Sequence, residues 1–134
     1  MTVAQTSANA MWAGDAASQG LGMVIEAVGA GTARLSMAVT AAMLNGHGIC
    51  HGGFVFALAD SAFAYACNSH GDAAVASHCA ITYLRPCPAG ARLVAVATER
   101  AREGRSGLYD VAVVADGVAV AEFRGHSRLM GARA

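Results

Sequence analysis

The chain has 134 residues, enough for one domain with a modest core, and 55% of them are hydrophobic, which excludes a disordered chain. Its net charge is zero with the histidines neutral, so no electrostatic footprint for nucleic acid is visible. Residues 1–10 lack a basic start followed by an apolar run, and the longest apolar run is too short for a membrane span. We therefore expect one domain over residues 1–134, without a secretory signal and outside the membrane.

The first half of the chain predicts a helix, a hairpin and a second, buried helix. Residues 8–21 form an amphipathic pattern, residues 23–28 lie between glycines as a strand, and residues 33–39 alternate as a half-buried strand that pairs with the first. After a glycine-rich loop, residues 53–69 are apolar on all sides and end near Gly71, which predicts a buried helix.

The second half predicts strands only. Residues 74–85 are followed by strands at 92–102, 108–115 and 118–129, and Asp116-Gly117 is a strong signal for a two-residue hairpin turn. Short turns between successive strands make the sheet antiparallel. Roughly six strands with one long apolar helix between the second and third predict an α+β hotdog fold, in which a single sheet wraps a central helix that must be covered.

One carboxylate lies inside the buried helix. From residue 54 to residue 67 the only strongly polar side chains are Asp60 and Ser61. Burying a carboxylate without partners costs several kcal/mol by order of magnitude, so Asp60 is a candidate for chemistry, although a structural role is the alternative. His51-Gly52-Gly53 precedes the helix and presents backbone N–H groups at its positive end, where developing negative charge is stabilised.

The loop and helix carry a family signature. Asn45-x-x-Gly48-x-x-His51-Gly52-Gly53, followed by Leu58-Ala59-Asp60, resembles hotdog-fold acyl-CoA thioesterases, in particular the PaaI subgroup of phenylacetate degradation. The likeness spans nearly the whole chain after about Met11 and includes Ala66-Cys67-Asn68-Ser69, Val75-Ala76-Ser77, Tyr83-Leu84-Arg85-Pro86, Leu108-Tyr109-Asp110 and Phe123-Arg124-Gly125.

The resemblance implies hydrolysis of a thioester between coenzyme A and an aromatic or medium-size acyl group such as (hydroxy)phenylacetyl. Coenzyme A is then part of the substrate, and no separate cofactor is implied. The resemblance also implies a homotetramer built from dimers, and an Asn45 amide that holds the thioester or the attacking water.

Thioester hydrolysis assigns one role to Gly52 and another to Asp60. The Gly52 N–H suits the carbonyl oxygen as it gains charge, and the bare backbone at Gly52 and Gly53 permits close approach. Asp60 suits the other task, either attacking directly or deprotonating water, and the sequence does not choose between these.

The spacing of these groups predicts a dimer. Asp60 follows Gly52 by eight residues, or roughly 12 Å at about 1.5 Å rise per residue. Both groups must lie within about 3–3.5 Å of one reacting carbonyl. Two antiparallel copies of the helix about a two-fold axis satisfy this, with each Gly52 facing the partner's Asp60.

Several other polar residues are candidates for contact with the substrate. His51 could contact the substrate or could cap the helix through a ring hydrogen bond, and we favour the second. Ser77 is a candidate substrate-binding residue, but the position that aligns with a water-steering hydroxyl in some relatives is Ala76, and adjacent strand residues face opposite ways. Candidates for the coenzyme A phosphates are Arg85, Arg102, Arg105, Arg124 and Arg128.

Histidine and cysteine patterns give little support for a metal. His47 and His51 lie in a glycine-broken loop, so their spacing with Asp60 does not fix a coordination geometry.

His78 is either a satisfied core histidine or a residue lining the acyl pocket, and Cys67 is expected to pack in the core. Cys50, Cys67, Cys79 and Cys87 lack CxxC spacing, which favours free thiols in a reducing cytoplasm.

Two other functions remain open from the sequence. A non-catalytic acyl-CoA-binding module could use the same fold, although Asn45, Gly52 and Asp60 together argue against a degenerate binder. A hotdog enoyl-CoA hydratase or dehydratase would use an Asp/His pair beside a differently built loop, which this chain lacks.

Overall fold

A computed structural model describes residues 1–131; the last three residues of the predicted domain, 132–134, lie outside that description. The helices are α1 (Val3–Gly14), α2 (Ala16–Gly20) and α3 (Gly52–Cys67), with a short 3-10 turn at Ala41–Met43. The strands are β1 (Val24–Gly29), β2 (Thr32–Ala38), β3 (Ala74–Tyr83), β4 (Arg92–Glu103), β5 (Ser106–Ala115) and β6 (Val118–Leu129).

The N-terminal segment differs from its prediction as one helix over residues 8–21. The helical structure begins earlier because Thr2 and Gln5 form a reciprocal capping box. It is then interrupted at Asp15, whose carboxylate accepts from the Ser18 N–H at 3.1 Å and so caps α2. Local capping therefore divides the segment into two helices.

The six strands form one antiparallel sheet in the order β1-β2-β4-β5-β6-β3. The predicted hairpins are confirmed: β1 pairs with β2, and β5 turns into β6 through Asp116 and Gly117, both at positive φ. Within residues 1–131, β3 pairs only with β6, so it lies at one edge of the sheet and presents an unpaired row of backbone groups.

Helix α3 packs on the inner face of this sheet, as the hotdog fold requires. Its largest buried side chains include Leu58 and Phe63, which join the core with the inward residues of β2, β4 and β5. The helix ends at Cys67, two residues before the predicted end, since Asn68 at its C-cap bonds the Ala64 carbonyl and both backbone groups of Ala74.

The prediction that the helix is covered on every side is wrong for a single chain. Gly53 is exposed, and Ala57, Asp60 and Ala64 are half-buried, although all four lie on one helical face at spacings of three and four residues. We call this face the open stripe of α3. The physical reason is that the sheet and the N-terminal helices cover the other sides of α3 and leave this one uncovered.

The N-terminal helices are attached to α3 by a small polar network. The Tyr65 hydroxyl donates to Asp15 at 2.9 Å, and the Ser18 and Ser61 hydroxyls are 2.8 Å apart. Burial alone would raise the pKa of Asp15, but the hydrogen bonds from Ser18 and Tyr65 outweigh it and lower that pKa. The network thus joins the N-terminal segment to the helix beside Asp60.

Replacing Tyr65 by Phe is expected to lower the free energy of unfolding by about 1 to 2 kcal/mol, because a hydrogen bond to a carboxylate is lost while the ring still packs. Urea unfolding measures this change. The double variant Tyr65→Phe/Asp15→Asn should show less than the sum of the two single effects, and additive losses would contradict the coupling.

Candidate active site

The turn before α3 leaves one amide unbonded. His51 is the N-cap residue, and its Nδ1 accepts from the Gly53 N–H at 2.9 Å while its carbonyl accepts from the Phe54 N–H at 2.9 Å. The Gly52 N–H has no acceptor among residues 1–131. It therefore lies at the positive end of the helix with its hydrogen available to a ligand. The ring of His51 performs the capping role that we favoured for it.

The Asn45 side chain is fixed by the same loop. Its Oδ1 accepts from the backbone N–H groups of His47 at 2.9 Å and Ile49 at 3.4 Å. This use of the oxygen leaves the side-chain NH2 group as a donor, and within residues 1–131 it finds no acceptor. Asn45 and Gly52 thus each offer a hydrogen-bond donor.

Both donors line one cleft of about 370 Å³ on the surface of the chain. Tyr83 forms one wall, and its hydroxyl donates to the Gly52 carbonyl at 2.8 Å. A Cβ added at Gly52 would lie 2.9 Å from Tyr83 Cζ, so a larger residue requires the Tyr83 ring to move. The lining comprises Asn45, Ile49, Cys50, Gly52, Val55, Tyr83, Leu84, Arg85, Pro86, Cys87 and Val120.

Asp60 lies outside this cleft and is half-buried on α3. Burial raises the pKa of its carboxyl, and its oxygens have no hydrogen-bond partner within the described chain. Burial also raises the pKa of Cys79 on β3, and the charge of the neighbouring Asp60 carboxylate raises it further. One chain therefore brings Asn45, Gly52 and Arg85 together but leaves Asp60 apart.

The position of Ser77 depends on a β-bulge that the sequence does not reveal. Ala76 pairs with Ser127 and His78 with His126, so Ser77 is the extra residue of the bulge, and its hydroxyl donates to the His126 carbonyl at 3.1 Å. The strict alternation that separated Ser77 from Ala76 does not apply at a bulge. Ser77 is exposed and does not line the cleft around Gly52.

His78 is not a core histidine of this chain. Its side chain is exposed and lies against the ring of His126, with 5.4 Å between ring centroids. Cys67, by contrast, is 5% exposed and belongs to the core cluster, where it packs as expected. His47 and His51 are exposed in the loop, and within residues 1–131 no three His, Cys, Asp or Glu side chains are grouped so that they could hold a metal ion.

The candidate arginines differ in what they already bind. Arg124 makes two hydrogen bonds to Asp110, at 2.7 and 3.0 Å. Arg105 donates to the Leu129 carbonyl, and Arg102 lies 3.8 Å from Glu99. The Arg85 and Arg128 guanidinium groups have no partner in the described part of the chain, and of all five only Arg85 lines the cleft.

Tyr83 is a site residue that the sequence reasoning did not single out. It pairs with the buried Ala121 of β6, and paired residues of antiparallel strands face the same side, so its ring faces the helix. Period-two alternation from Cys79 through Ile81 would have placed Tyr83 on that face. The sequence signal was present, but the close approach to Gly52 depends on tertiary packing.

The fold and this site define a known class of protein. Residues 47–122 match the family model described as the thioesterase superfamily, which covers more than half of the chain. The chain therefore belongs to the thioesterase superfamily, and within the described residues 1–131 no helix is long and apolar enough to cross a membrane.

Comparison with individual proteins shows which members of this superfamily the chain resembles. The chain is 50% identical over 126 residues to the acyl-coenzyme A thioesterase PaaI of Escherichia coli (strain K12), which is 93% of this chain and 90% of that protein. The structure of the E. coli PaaI protein matches with a TM-score of 0.95 at 49% identity, covering 97% and 95% of the two chains. A mutant of the phenylacetic acid degradation protein PaaI from Thermus thermophilus matches with a TM-score of 0.82 at 42% identity, covering 84% and 97%.

These comparisons confirm the family resemblance and the hotdog fold that the sequence predicted. The chain is thus a hotdog-fold enzyme of the thioesterase superfamily, similar to PaaI over nearly its whole length.

Proposed function

We propose that the protein hydrolyses phenylacetyl-CoA, its ring-hydroxylated forms or a similar aromatic or medium-size acyl-CoA to the free acid and coenzyme A. The observation that carries the proposal is that one helix holds both an amide at Gly52 and a carboxylate at Asp60 that have no hydrogen-bond partner among residues 1–131. The similarity to E. coli PaaI, a protein named as an acyl-coenzyme A thioesterase, supports the same reaction class.

In the proposed mechanism the thioester carbonyl oxygen accepts from the Gly52 N–H. This donor stabilises the negative charge that develops as the carbonyl carbon becomes tetrahedral. The Asn45 NH2 group orients the thioester or the water, in keeping with its unused hydrogens. The Asp60 carboxylate either attacks the carbon or takes a proton from water. The C–S bond then breaks, and coenzyme A leaves as a thiolate that takes up the proton given up by water. If Asp60 attacks directly, water then hydrolyses the acyl–Asp60 anhydride to release the free acid.

The proposed catalytic unit is a homodimer, further paired into a tetramer. A single α3 cannot supply both groups to one carbonyl, since the Gly52 amide lies in the cleft and Asp60 lies outside it, eight residues further along the helix. We place the partner chain at the sheet edge formed by β3. Two features support a partner at that edge: β3 has an unpaired side ten residues long, and the open stripe of α3 lies next to it with Asp60 at its centre. Antiparallel contact about a two-fold axis would direct each Asp60 toward the other chain's Gly52.

Arg85 is the proposed contact for a coenzyme A phosphate, because its guanidinium is unpaired and lies at the cleft. His51, Gly53 and Ser77 complete the proposed substrate surface: the first two by shaping the turn, Ser77 from the edge strand. No cofactor takes part in the proposed reaction, and a cytoplasmic location stays a prediction from the sequence.

A panel of acyl-CoAs tests this function. The purified protein is incubated with phenylacetyl-CoA, hydroxyphenylacetyl-CoAs, and short and long straight-chain acyl-CoAs, and thiol release is followed with a thiol reagent. We expect the largest kcat/KM for the aromatic substrates. Turnover confined to straight-chain substrates would overturn the substrate proposal, whereas tight binding without any thiol release would indicate the acyl-CoA-binding module instead.

The pH–rate profile should fall on its acidic side at a pH above the ordinary pKa of an aspartate. Because burial raises the pKa of Asp60, its carboxylate is lost at a higher pH than that of an exposed aspartate. We expect kcat/KM to fall as the pH is lowered through this raised pKa, since only the ionised form can act as base or nucleophile. A pH–rate profile in buffers of constant ionic strength measures it, and a flat profile down to the usual aspartate pKa would contradict the assignment.

A further inference from the structure

Two cysteines that the proposed reaction does not use lie opposite each other along the cleft. Ile49 and Pro88 form an antiparallel bridge, and the Cys50 N–H donates to the Cys87 carbonyl at 2.7 Å. One step along this register places Cys50 directly opposite Cys87. Residues directly opposite each other in antiparallel segments carry their side chains on the same face, and both cysteines line the cleft.

The backbone separation suits a disulfide. In a regular antiparallel ladder, residues that exchange both backbone hydrogen bonds have Cα atoms about 5.5 Å apart, and Cys50 and Cys87 occupy such a position with one of the two bonds formed. Disulfides join Cα atoms roughly 4.4–6.8 Å apart. At present each sulfur contacts a backbone carbonyl instead: Cys50 Sγ lies 3.6 Å from the His51 oxygen, and Cys87 Sγ lies 3.9 Å from the Arg85 oxygen. Both cysteines are free and 5% exposed, and closure requires both side chains to rotate away from these carbonyls toward each other.

We propose that Cys50 and Cys87 form a dithiol site that reacts with small disulfide-class oxidants and closes an intrachain disulfide across the cleft. The site is independent of the proposed thioesterase activity, since neither sulfur has a role in that mechanism. Its consequence is structural: the bond would tie the turn that carries Gly52 to the segment that carries Arg85.

The reaction balances as a thiol–disulfide exchange. The thiolate of one cysteine attacks a sulfur of the oxidant RS–SR, so one protein–S–SR bond forms and the RS–SR bond breaks, releasing RS⁻. The second cysteine, as its thiolate, then attacks the protein sulfur of this mixed disulfide and displaces the second RS⁻. The two thiol protons pass to the two released thiols, and the oxidant takes up two electrons.

Burial slows this exchange near neutral pH. It raises the pKa of both thiols, and the neighbouring Cys87 raises that of Cys50 further. The thiolate, not the thiol, is the attacking form, so exchange should accelerate as the pH is raised.

The chain offers an internal control in its other two cysteines. Cys67 lies on α3 and Cys79 on β3, and burial raises the pKa of Cys67 to about 12. Neither lines the cleft around Gly52. The double variant Cys67→Ser/Cys79→Ser therefore isolates the proposed dithiol, and the reverse variant Cys50→Ser/Cys87→Ser isolates the control pair.

Oxidised glutathione is the probe. After incubation under native conditions, the protein is denatured, its thiols are counted, and its peptides are mapped by mass spectrometry. We expect the isolated dithiol to lose both thiols and to yield a Cys50–Cys87 link within one chain. Adding Cys87→Ser to that variant should leave a stable mixed disulfide at Cys50. Because a serine variant could misfold, the wild-type chain is mapped in parallel and should show the same link.

Three results would overturn the proposal. They are an unchanged thiol count in native protein, mixed disulfides on both cysteines without closure, and a link that joins two chains.

Discussion

Replacing Asp60 by Asn is expected to lower kcat by about 10²- to 10⁴-fold, the range that a positioned general base contributes. The amide keeps the size of the carboxylate but can neither take a proton from water nor attack as a nucleophile. Acyl-CoA binding should be nearly unchanged, because the donors at Asn45 and Gly52 remain. Thiol release measures the rate, and calorimetric titration with a non-hydrolysable acyl-CoA thioether measures the binding.

Asp116→Asn is the matched control, because it makes the same chemical change at an exposed turn where asparagine also accepts positive φ. Its kcat should equal that of the wild-type chain. If Asp60→Asn kept more than about a tenth of the wild-type kcat, a loss well short of the range expected for a missing base, Asp60 would not be the catalytic carboxylate.

Asp60→Asn should also unfold at a higher temperature than the wild-type chain near neutral pH. A raised pKa in the folded state means that the native chain binds this proton more tightly than the unfolded chain. Stability then declines as the pH rises through the interval between the ordinary and the raised pKa, and the loss is complete above it. Removing the charge removes this cost, so lost activity with a raised Tm would exclude misfolding as the cause.

Deleting the Gly52 N–H is expected to lower kcat by about 10²- to 10³-fold, the effect of losing one oxyanion donor. Proline deletes the hydrogen, and the first position of a helix accepts it. His51 already has φ −60° and ψ 132°, the extended conformation that a residue before proline adopts. The obstacle is Tyr83, whose ring lies 2.9 Å from a Cβ at this position.

A Tyr83→Ala background removes that obstacle and supplies a matched pair. Gly52→Ala/Tyr83→Ala keeps the amide hydrogen, and Gly52→Pro/Tyr83→Ala lacks it, while both carry a Cβ. The ratio of their kcat values reports the hydrogen alone. Equal values in two folded variants, judged by circular dichroism and Tm, would show that the Gly52 amide does not stabilise the transition state.

Much of the fold follows from local periodicity. The apolar run into α3 and the alternation in β2 and β6 each specify one element type, and Asp116-Gly117 specifies a turn, because these patterns depend on near neighbours in the chain. The family signature around Gly52 and Asp60 predicted the candidate site, and the roles of these residues stay a prediction. Helix caps shifted the ends of the elements, as at Asp15 and Asn68, where a side chain competes with the backbone for hydrogen bonds.

The remainder depends on contacts between distant segments. The bulge at Ser77 arises from the register between β3 and β6, and the residue type at that position does not predict it. The approach of Tyr83 to Gly52 and the meeting of Cys50 with Cys87 require the segment after β3 to return to the loop before α3. The half-exposed environment of Asp60 likewise follows from where the sheet ends, which the apolar sequence around it does not indicate.

The central claim is that each active site combines the Gly52 amide of one chain with the Asp60 carboxylate of another. Hybrid dimers test it most directly. One chain carries Asp60→Asn and the other carries Gly52→Pro/Tyr83→Ala, and each has its own affinity tag. The two chains are unfolded together, refolded and purified through both tags. Each hybrid dimer should regain one intact site, so that two nearly inactive parents give about half of the wild-type kcat per dimer. Hybrids verified by native mass spectrometry that stay as inactive as their parents would contradict the composite site.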